Sequence, residues 1–420
     1  MHYLRIFLFF LVLLFPATSR AATWYVAMDG DDGNPGTLEE PFRTIQRALR
    51  EVAPGDTVLV RAGVYDLETY VDVEGEPGSP VTLSSFPGER AVLDGSGHGP
   101  DDPIKFRVTG AFLVIRDLEF RGGPSDGVLV TDGAHDVELL RLDSHGHHLA
   151  GIALEGGAHH VSIVDCDSHD NVDLGPTAGE HADGFGIKYD IGPGVVLRGC
   201  RSWNNSDDGY DLWEAGSPVR LERCWAWGNG YDRWNIGGGF AGDGNGFKLG
   251  PGGPTVHRCI SWKNARRGFE YDDATDPERV TNCTSWRNGL VGFRFREAAH
   301  FLRNNLSFED GGLEIGPQVD DAWNSWNDPP GITVTAADFR SLDDTRATGP
   351  RNPDGTLPTG PFLAPSEGSA LVDRGVDVGE WYAGRAPDLG AIEYQPSPPD
   401  LGRQPRRLEA LRAAGPGCAP

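Results

Sequence analysis

The chain has 420 residues, and its 37 Lys and Arg against 62 Asp and Glu give a formal net charge of −25. With 58 Gly, 31 Pro and only 38% hydrophobic residues, the composition excludes a helical bundle and disfavours a doubly wound α/β sheet, which needs long apolar segments. A chain this acidic repels phosphate, so a nucleic-acid partner is also disfavoured. The 11 Trp residues indicate a packed fold rather than disorder.

The N-terminus has the pattern of a secretory signal peptide. A short basic segment, 1–5, precedes the apolar run 6–15, and Ser19-Arg20-Ala21 offers small residues for cleavage. This apolar run is too short to span a bilayer. We therefore expect cleavage after Ala21, secretion to the periplasm or the extracellular space, and no membrane partner.

Residues 24–65 contain an amphipathic segment. Four of its apolar residues recur at helical spacing: Phe42, Ile45, Leu49 and Val52. A Pro-Gly pair at 54–55 ends the pattern. Because an open repeat fold exposes the edge of its last coil, we expect this helix to cap the N-terminal end of the fold.

The middle of the chain is a repeat with a base period near 24 residues. Its first column is Cys166, Cys200, Cys224, Cys259, Cys283 and Asn305. Three residues later the column is His169, Trp203, Trp227, Trp262, Trp286 and Phe308. Five residues after the first column lie Asn171, Asn205, Asn229, Asn264, Asn288 and Asp310. This period predicts an all-β fold, a parallel β-helix whose like residues stack at the strand spacing of about 4.8 Å.

Five stacked cysteines leave two alternatives, disulfides between neighbouring coils or a ladder of buried thiols. In-register neighbours point the same way, which strains a bridge, so we expect free thiols, with Cys418 unpaired in the tail. The two longest intervals hold extra residues, roughly 172–182 and 230–245, which we expect to be surface loops beside the binding face.

The C-terminal end departs from the repeat. We expect an irregular closing segment over about 320–395, rich in Pro and Gly, with residues 387–394 forming a closing strand. Residues 396–420 are mostly Pro, Arg and polar residues, which predicts a disordered tail.

Charged residues flank a Gly-aromatic pair that follows each repeat. Side chains alternate along a strand, so the positions one before and two after this Gly lie on the outer surface. Four carboxylates thereby collect on two neighbouring coils: Asp183, Asp207, Asp208 and Asp211. Lys248 follows on the next coil, over Asp211, and Arg267 and Arg294 lie beyond it. Carboxylates this close repel one another without a cation, and oxygen-only ligands favour Ca²⁺.

Three segments, 181–188 (HADGFGIK), 192–214 (GPGVVLRGCRSWNNSDDGYDLWE) and 244–250 (GNGFKLG), resemble family 9 polysaccharide lyases, the Ca²⁺-dependent pectate lyases. The resemblance covers most of the mature chain. It implies a right-handed parallel β-helix that cleaves polygalacturonate by β-elimination, giving 4,5-unsaturated oligogalacturonides. Tyr210 stands where the family pattern leads us to expect Trp, and loop 232–243 has no recognisable counterpart.

The same resemblance implies roles for five residues. It assigns Asp183, Asp207, Asp208 and Asp211 to Ca²⁺ and Lys248 to the catalytic base. A bound Ca²⁺ would offset the repulsion between this acidic chain and an acidic polysaccharide. Arg267 or Arg294 would hold a neighbouring uronate, or both are solvated surface cations. We expect a monomer.

Other functions remain open alternatives: a lyase of another uronan, a β-helix polygalacturonase, or a non-catalytic carbohydrate-binding or adhesion β-helix. A polygalacturonase needs paired Asp with a His and a downstream RxK motif, but His145-Gly146 precedes the acidic residues here and no RxK follows them. A His-rich metal site is a further alternative. His145 and His169, however, fall in the aromatic column, so ladder stacking accounts for those two better.

Overall fold

In the computed structural model, residues 21–395 are described, except 100, 101, 103, 104, 273, 328–330 and 359. The predicted signal peptide, apart from Ala21, and the predicted tail with Cys418 lie outside the described residues. Short strands wind into three parallel sheets, and nearly every coil gives one strand to each sheet.

The first sheet has twelve strands: β1 (Thr23–Val26), β2 (Thr57–Val60), β5 (Val81–Ser85), β8 (Ala111–Arg116), β11 (His135–Leu140), β14 (His159–Val164), β17 (Val195–Arg198), β20 (Val219–Glu222), β23 (Thr255–His257), β26 (Arg279–Thr281), β29 (Phe301–Arg303) and β32 (Asp320–Asp321). The second sheet has ten: β4 (Thr69–Val71), β7 (Phe106–Val108), β10 (Val128–Val130), β13 (Ile152–Leu154), β16 (Phe185–Ile187), β19 (Tyr210–Asp211), β22 (Phe247–Lys248), β25 (Arg267–Glu270), β28 (Val291–Phe295) and β31 (Glu314–Ile315). The third also has ten: β3 (Gly63–Asp66), β6 (Ala91–Asp94), β9 (Leu118–Arg121), β12 (Asp143–His145), β15 (Asp167–His169), β18 (Arg201–Trp203), β21 (Trp225–Trp227), β24 (Ile260–Trp262), β27 (Thr284–Trp286) and β30 (Leu306–Phe308). The predicted right-handed parallel β-helix is confirmed.

The core lies between the three sheets and is built from stacks of like side chains. The aromatic residues of the Gly-aromatic pairs point inward, as predicted, and are fully buried: Phe185, Tyr210, Phe247, Phe269 and Phe293. Their ring centroids are 4.6 to 5.0 Å apart along the stack. Tyr210, which replaces the expected Trp, stacks on both neighbours, and its hydroxyl donates to the Trp225 carbonyl at 3.3 Å.

Two further ladders confirm the predicted stacking. The five described cysteines are buried free thiols. In the Asn ladder, defined by Asn171, Asn205, Asn229, Asn264 and Asn288, each side-chain oxygen accepts from the preceding coil or ladder member. Asp310 ends the ladder by accepting from the Asn288 amide at 3.1 Å. These bonds satisfy buried turn backbone that would otherwise be unpaired.

The outer face of the third sheet carries the aromatic column. His145, His169, Trp203 and Trp227 stack with nearly parallel rings, which confirms the ladder interpretation of the two histidines. The C-terminal segment packs over the later members of this column, with Phe362 lying 5.3 Å from Trp262 between ring centroids.

The predicted closing strand at 387–394 is wrong, because these residues form bends instead. Leu389 is buried against the third sheet, and the Ala391 N–H donates to the Thr284 hydroxyl at 2.8 Å. Gly390 adopts φ 98°, a left-handed conformation that a strand cannot contain. Among the described residues after β32, the one regular element is the 3₁₀ helix Ala336–Asp338.

The predicted capping helix is present and shorter than its apolar pattern. Helix α1 spans Ile45–Leu49, and the Thr44 hydroxyl accepts from the Arg47 N–H at 3.1 Å as its N-cap. Ile45 and Leu49 are buried beside β1, β2 and β4. Within the described part of the chain, a search for a helix of membrane-spanning length and hydropathy finds none.

Candidate active site

The candidate site lies on the outer face of the second sheet, where successive coils align chemically different residues. Gly186 of β16 is in register with Asp211 of β19, and Asp211 is in register with Lys248 of β22. The column continues through Glu270 of β25 to Arg294 of β28. We call these five residues the site column. The predicted position of Lys248 over Asp211 is confirmed.

Three of the four predicted carboxylates form one cluster. One oxygen each from Asp183, Asp207 and Asp208 lies within 4.8 Å of the others, and all three residues are buried. We call these three residues the acidic cluster. Among the described residues, no His or Cys joins it, and no group of histidines placed to hold a metal ion is found, so the alternative of a His-rich metal site gains no support.

Backbone N–H groups fix the orientation of each carboxylate. Asp183 Oδ1 accepts from the Asp208 N–H at 3.1 Å, and Asp208 Oδ1 accepts from the Asn245 N–H at 2.6 Å. Asp207 Oδ1 accepts from the Asp243 N–H at 2.6 Å. The second oxygen of Asp208 has no hydrogen-bond partner among the residues that the structure describes. An unpartnered buried oxygen beside other carboxylates is what a bound cation would satisfy.

The electrostatics of the cluster favour a cation. Burial raises the pKa of Asp183 to about 6, with Lys188 opposing and Asp211 adding to the rise. Burial also raises the pKa of Asp207 well above its usual range, and Asp208 and Asp183 raise it further. The pKa of Asp208 is raised as well, by burial and by Asp211, against the opposing effect of Lys248. A divalent ion would hold all three carboxylates ionised.

Asp211 lies outside the acidic cluster and pairs with Lys188. Lys188 Nζ lies 2.6 Å from Asp211 Oδ2 and 2.7 Å from Asp183 Oδ2, so it bridges the two carboxylates. Asp211 Oδ1 accepts from the Trp213 N–H at 2.9 Å. Although burial raises the pKa of Asp211, Lys188 and Lys248 lower it more, and the net shift is downward.

Lys248 lies against the cluster from the next coil. Its Nζ is 3.7 Å from Asp208 Oδ2, 3.7 Å from Asp211 Oδ2 and 3.5 Å from Asp243 Oδ2. Burial lowers the pKa of Lys248, but the carboxylates of Asp208 and Asp211 raise it more, and the net shift is upward. A neutral amine at this position therefore requires that the surrounding negative charge be neutralised.

Sequence reasoning missed the roles of Lys188 and Asn245. Lys188 lies two residues after Gly186, so strand alternation alone put both on one face. Asn245 occupies the position one residue before the repeat glycine, Gly246. Its side-chain oxygen and nitrogen are buried and have no hydrogen-bond partner within the described ranges. They lie beside the Asp208 carboxylate, which accepts from the Asn245 N–H. The carboxylates of the acidic cluster and the side-chain oxygen of Asn245 together offer oxygen ligands, which fit Ca²⁺.

The two arginines of the prediction are engaged by a glutamate. Arg294 Nη1 lies 2.8 Å from Glu270 Oε2, and Arg267 Nη1 lies 3.7 Å from the same oxygen. Their side chains are 15% and 22% exposed, so neither is a solvated surface cation. The two guanidinium groups lie beyond Lys248 along the second sheet, with Glu270 between them and Glu314 Oε2 3.5 Å from Arg294 Nε.

The two inserted loops flank the acidic cluster, as expected. Asp243 of the second loop contacts Lys248 and pairs with Arg266. The loops also contact each other, because the Ala241 N–H donates to the Ala178 carbonyl at 3.0 Å. Together they form one wall beside the site.

Comparisons with known sequences agree with the β-helix fold. The family profile described as Pel9A-like, right handed beta helix region, matches residues 24–305. Pectate lyase L from Dickeya dadantii (strain 3937) is 32% identical over 393 residues, covering 88% of this chain and 90% of the relative. Pectate lyase PEL9 from Emericella nidulans is 33% identical over 399 residues, covering 85% and 95% respectively.

Two solved structures share the whole architecture. The crystal structure of pectate lyase Pel9A aligns with TM-score 0.83 and 31% identity, over 90% of this chain and 97% of that one. A rhamnogalacturonan lyase aligns with TM-score 0.73 and 26% identity, over 82% of this chain and 97% of its own.

Proposed function

The chain belongs to the family of Pel9A-like right-handed β-helix proteins and is a polysaccharide lyase, and from this premise we propose that it cleaves polygalacturonate by Ca²⁺-assisted β-elimination with Lys248 as the base. One observation carries the proposal. Lys248 Nζ lies 3.7 Å from a buried Asp208 oxygen for which the described part of the chain offers no hydrogen-bond partner. A cation site and a candidate base therefore share one carboxylate.

Asp183, Asp207 and Asp208 would hold the Ca²⁺ ion, with Asp211 near enough to join them when Lys188 releases it. The bound ion would supply positive charge that attracts the substrate carboxylate and acidifies the adjacent C5 proton.

Lys248 then acts on the sugar. Its neutral amine takes the C5 proton, the electrons of that C–H bond form the C4–C5 double bond, and the C4–O bond breaks. The leaving oxygen takes a proton from solvent. Each cut therefore leaves a 4,5-unsaturated sugar at the new non-reducing end and uses up no water.

The two arginines beyond Lys248 suit the rest of the substrate. Arg267 and Arg294 lie one and two coils beyond Lys248 and share Glu270. A uronate carboxylate arriving there would compete with Glu270 for the guanidinium groups. We propose that these arginines bind the substrate on that side of the cleaved bond.

We further propose that the protein acts as a secreted monomer. Support comes from the basic, apolar and small-residue pattern of residues 1–21 and from the size of the polymer, which cannot enter a cell intact. The unit formed by residues 22–395 would then be the mature catalytic domain, and 396–420 its tail.

The test is absorbance near 235 nm, where the unsaturated product absorbs, with polygalacturonate as substrate. We expect absorbance to rise with time, to stop after exhaustive EGTA treatment, and to return when Ca²⁺ is added back. Activity that survives the chelator would contradict the Ca²⁺ role. New reducing ends without absorbance would indicate hydrolysis and favour the polygalacturonase alternative.

One comparison favours rhamnogalacturonan as a second candidate substrate, because a rhamnogalacturonan lyase is 26% identical over 82% of this chain. The same assay with a rhamnogalacturonan backbone decides between them. We expect polygalacturonate to be cleaved faster, because the arginines beside Lys248 suit consecutive uronates.

A further inference from the structure

Two exposed aromatic side chains lie directly after the strands that carry the site. Tyr189 follows Lys188 and is 47% exposed, and Trp213 lies two residues after Asp211 and is 42% exposed. Their ring centroids are 5.5 Å apart at an interplanar angle of 78°. We call this pair the aromatic pair. Since large apolar surface is costly to expose, such a pair beside a site points to a ligand.

The aromatic pair is continuous with the candidate site. The Trp213 N–H donates to Asp211 Oδ1 at 2.9 Å, and Lys188, the neighbour of Tyr189, bridges Asp211 and Asp183. The pair occupies the turns after β16 and β19, whereas the inserted loops precede the strands. It therefore forms the wall opposite the loops.

An open depression of about 460 Å³ adjoins the aromatic pair. It is lined by Tyr189, Asp190, Glu214 and Pro251. The two lining acids belong to neighbouring coils, and the Asp190 N–H donates to the Glu214 carbonyl at 2.9 Å. Pro251 comes three residues after Lys248, so three successive site coils contribute to the depression.

The charge of the depression selects its occupant. Among the described residues, two acidic ones line it and no basic one does. The carboxylate of a galacturonate is therefore repelled there. An aromatic wall with polar groups at its edge suits the apolar face and hydroxyls of a pyranose ring. The opposite character is found at Arg267 and Arg294, which suit a charged uronate.

We propose that the aromatic pair and the depression form a subsite for an uncharged pyranose of the polysaccharide, either a methyl-esterified galacturonate or a neutral sugar. The proposal rests on the proposed function, since the polymer must first engage the acidic cluster and Lys248. The subsite adds a substrate preference to the proposed function. The enzyme binds a polymer with uncharged sugars near the cleaved bond more tightly than the metal site alone would bind it.

The test compares KM on two substrates, polygalacturonate and pectin with partial methyl esterification, for three sets of variants. Tyr189 has φ 56°, so Tyr189→Asn keeps a residue that tolerates this conformation. Trp213→Ala removes the second ring. Trp323→Asn is the matched control, because Trp323 is 40% exposed and has φ 58° but follows β32 of the first sheet.

We expect Tyr189→Asn and Trp213→Ala each to raise KM on the esterified polymer about tenfold, the loss typical of one aromatic anchor. On polygalacturonate KM should change by less than about twofold, within ordinary surface-mutation effects. The double variant Asp190→Asn, Glu214→Gln should lower KM on polygalacturonate, since repulsion is removed. Rhamnogalacturonan oligosaccharides as inhibitors tell a neutral sugar from a methyl ester.

Equal KM changes on both polymers, or changes no larger than those of Trp323→Asn, would overturn the subsite. Binding is read separately from catalysis by affinity electrophoresis of Lys248→Ala in gels that contain the esterified polymer. If the wild type cleaves neither polymer, the proposed function fails. In that case gel retardation still tests the subsite. Retardation that is lost in Tyr189→Asn and Trp213→Ala but kept in Trp323→Asn would support the subsite, and unchanged retardation in all three would overturn it.

Discussion

On the outer face of the third sheet, successive coils carry like residues: Trp203 stacks on Trp227 and Trp227 on Trp262, each with centroids 4.8 Å apart. On the outer face of the second sheet, the same coils carry unlike residues, from Gly186 through Asp211 to Lys248. The like side chains complete one another's packing contacts from coil to coil. Beside the unlike ones, an Asp208 oxygen and the Asn245 side chain are buried without a hydrogen-bond partner among the described residues.

The difference teaches where function lies in a repeat fold. A ladder position stabilises its neighbours on both sides, so its residue type is set by the repeat. A site position breaks the repeat, and its buried charges are tolerated because a ligand completes them. The following predictions test this separation between ladder and site, from the largest expected effect to the smallest.

Removing the base should have the largest effect. Lys248→Ala should lower kcat about 10³-fold, because general-base catalysis typically contributes 10²- to 10⁴-fold, while the fold and Ca²⁺ affinity persist. Lys248→Arg should fare little better, since guanidinium stays protonated. The wild-type rate should rise on the alkaline side as the amine loses its proton. Initial rates at 235 nm measure all of this.

The matched control is Lys263→Ala, a lysine on the third-sheet side that pairs with Asp344 at 2.7 Å. It should keep nearly full activity. A Lys248→Ala enzyme that retains a tenth or more of the wild-type kcat removes Lys248 from the role of base.

Asp208→Asn should weaken Ca²⁺ binding about 10²-fold, the cost of losing one buried charged ligand. Folding should suffer less, because the substitution also relieves repulsion with Asp183 and Asp207. Titration calorimetry with thermal melts separates the two effects. Asp132→Asn, an exposed aspartate that pairs with Arg107, is the control. Unchanged Ca²⁺ affinity in Asp208→Asn would reduce the acidic cluster to an acidic turn.

Breaking the Asn ladder should cost stability without changing the chemistry. Asn229 accepts from the Asn205 N–H at 3.1 Å and donates to Asn264 at 2.9 Å. Asn229→Ala leaves the buried Asn205 N–H unpaired, whereas the Asn264 side-chain oxygen keeps its bond from the Asn229 N–H at 3.1 Å. The free energy of unfolding should fall by about 2 to 3 kcal/mol. Urea unfolding measures the loss. A large fall in kcat at 25 °C with the fold intact would argue against the separation of ladder from site.

The stability supplied by His169 should depend on pH. Burial lowers the pKa of His169, but the carboxylates of Asp143 and Asp170 raise it more, to about 9. A pKa raised on folding stabilises the protein below the unfolded value near 6.5, and the benefit is lost as pH rises through about 9. His169→Gln should cost about 2 kcal/mol at pH 6 and little at pH 10. A cost independent of pH would refute the ion-pair role.

Lys188 should tune the Ca²⁺ site. Its ammonium bridges Asp183 and Asp211, so it lowers the negative charge that a metal ion meets. Lys188→Met should tighten Ca²⁺ binding about tenfold and lower the melting temperature measured in EGTA. Weaker Ca²⁺ binding in calorimetry would show instead that Lys188 orders the carboxylates for the ion.

The sequence allowed the fold to be predicted because the repeat is explicit. Columns such as Cys166–Cys283 and the Asn ladder fixed the coils and their register. The closing strand at 387–394 was wrong because that segment has no repeat, and its conformation depends on packing against Trp262 and its neighbours.

For the site, the sequence predicted which residues share a face of the sheet. It did not predict which of their atoms are in contact. Alternation brought Asp183, Asp208 and Lys248 together. It could not reveal that Asp211 pairs with Lys188, because that contact depends on how a long side chain folds back across the strand. Nor could it show that Glu270 engages both arginines.

The central claim is that a Ca²⁺ ion binds in the acidic cluster directly beside Lys248. Anomalous scattering from crystals grown with Ca²⁺ locates the ion without reference to activity. The account predicts a peak about 2.3 to 2.6 Å from carboxylate oxygens of Asp183, Asp207 and Asp208, absent in Asp208→Asn. A peak elsewhere on the β-helix, or none at saturating Ca²⁺, would contradict it.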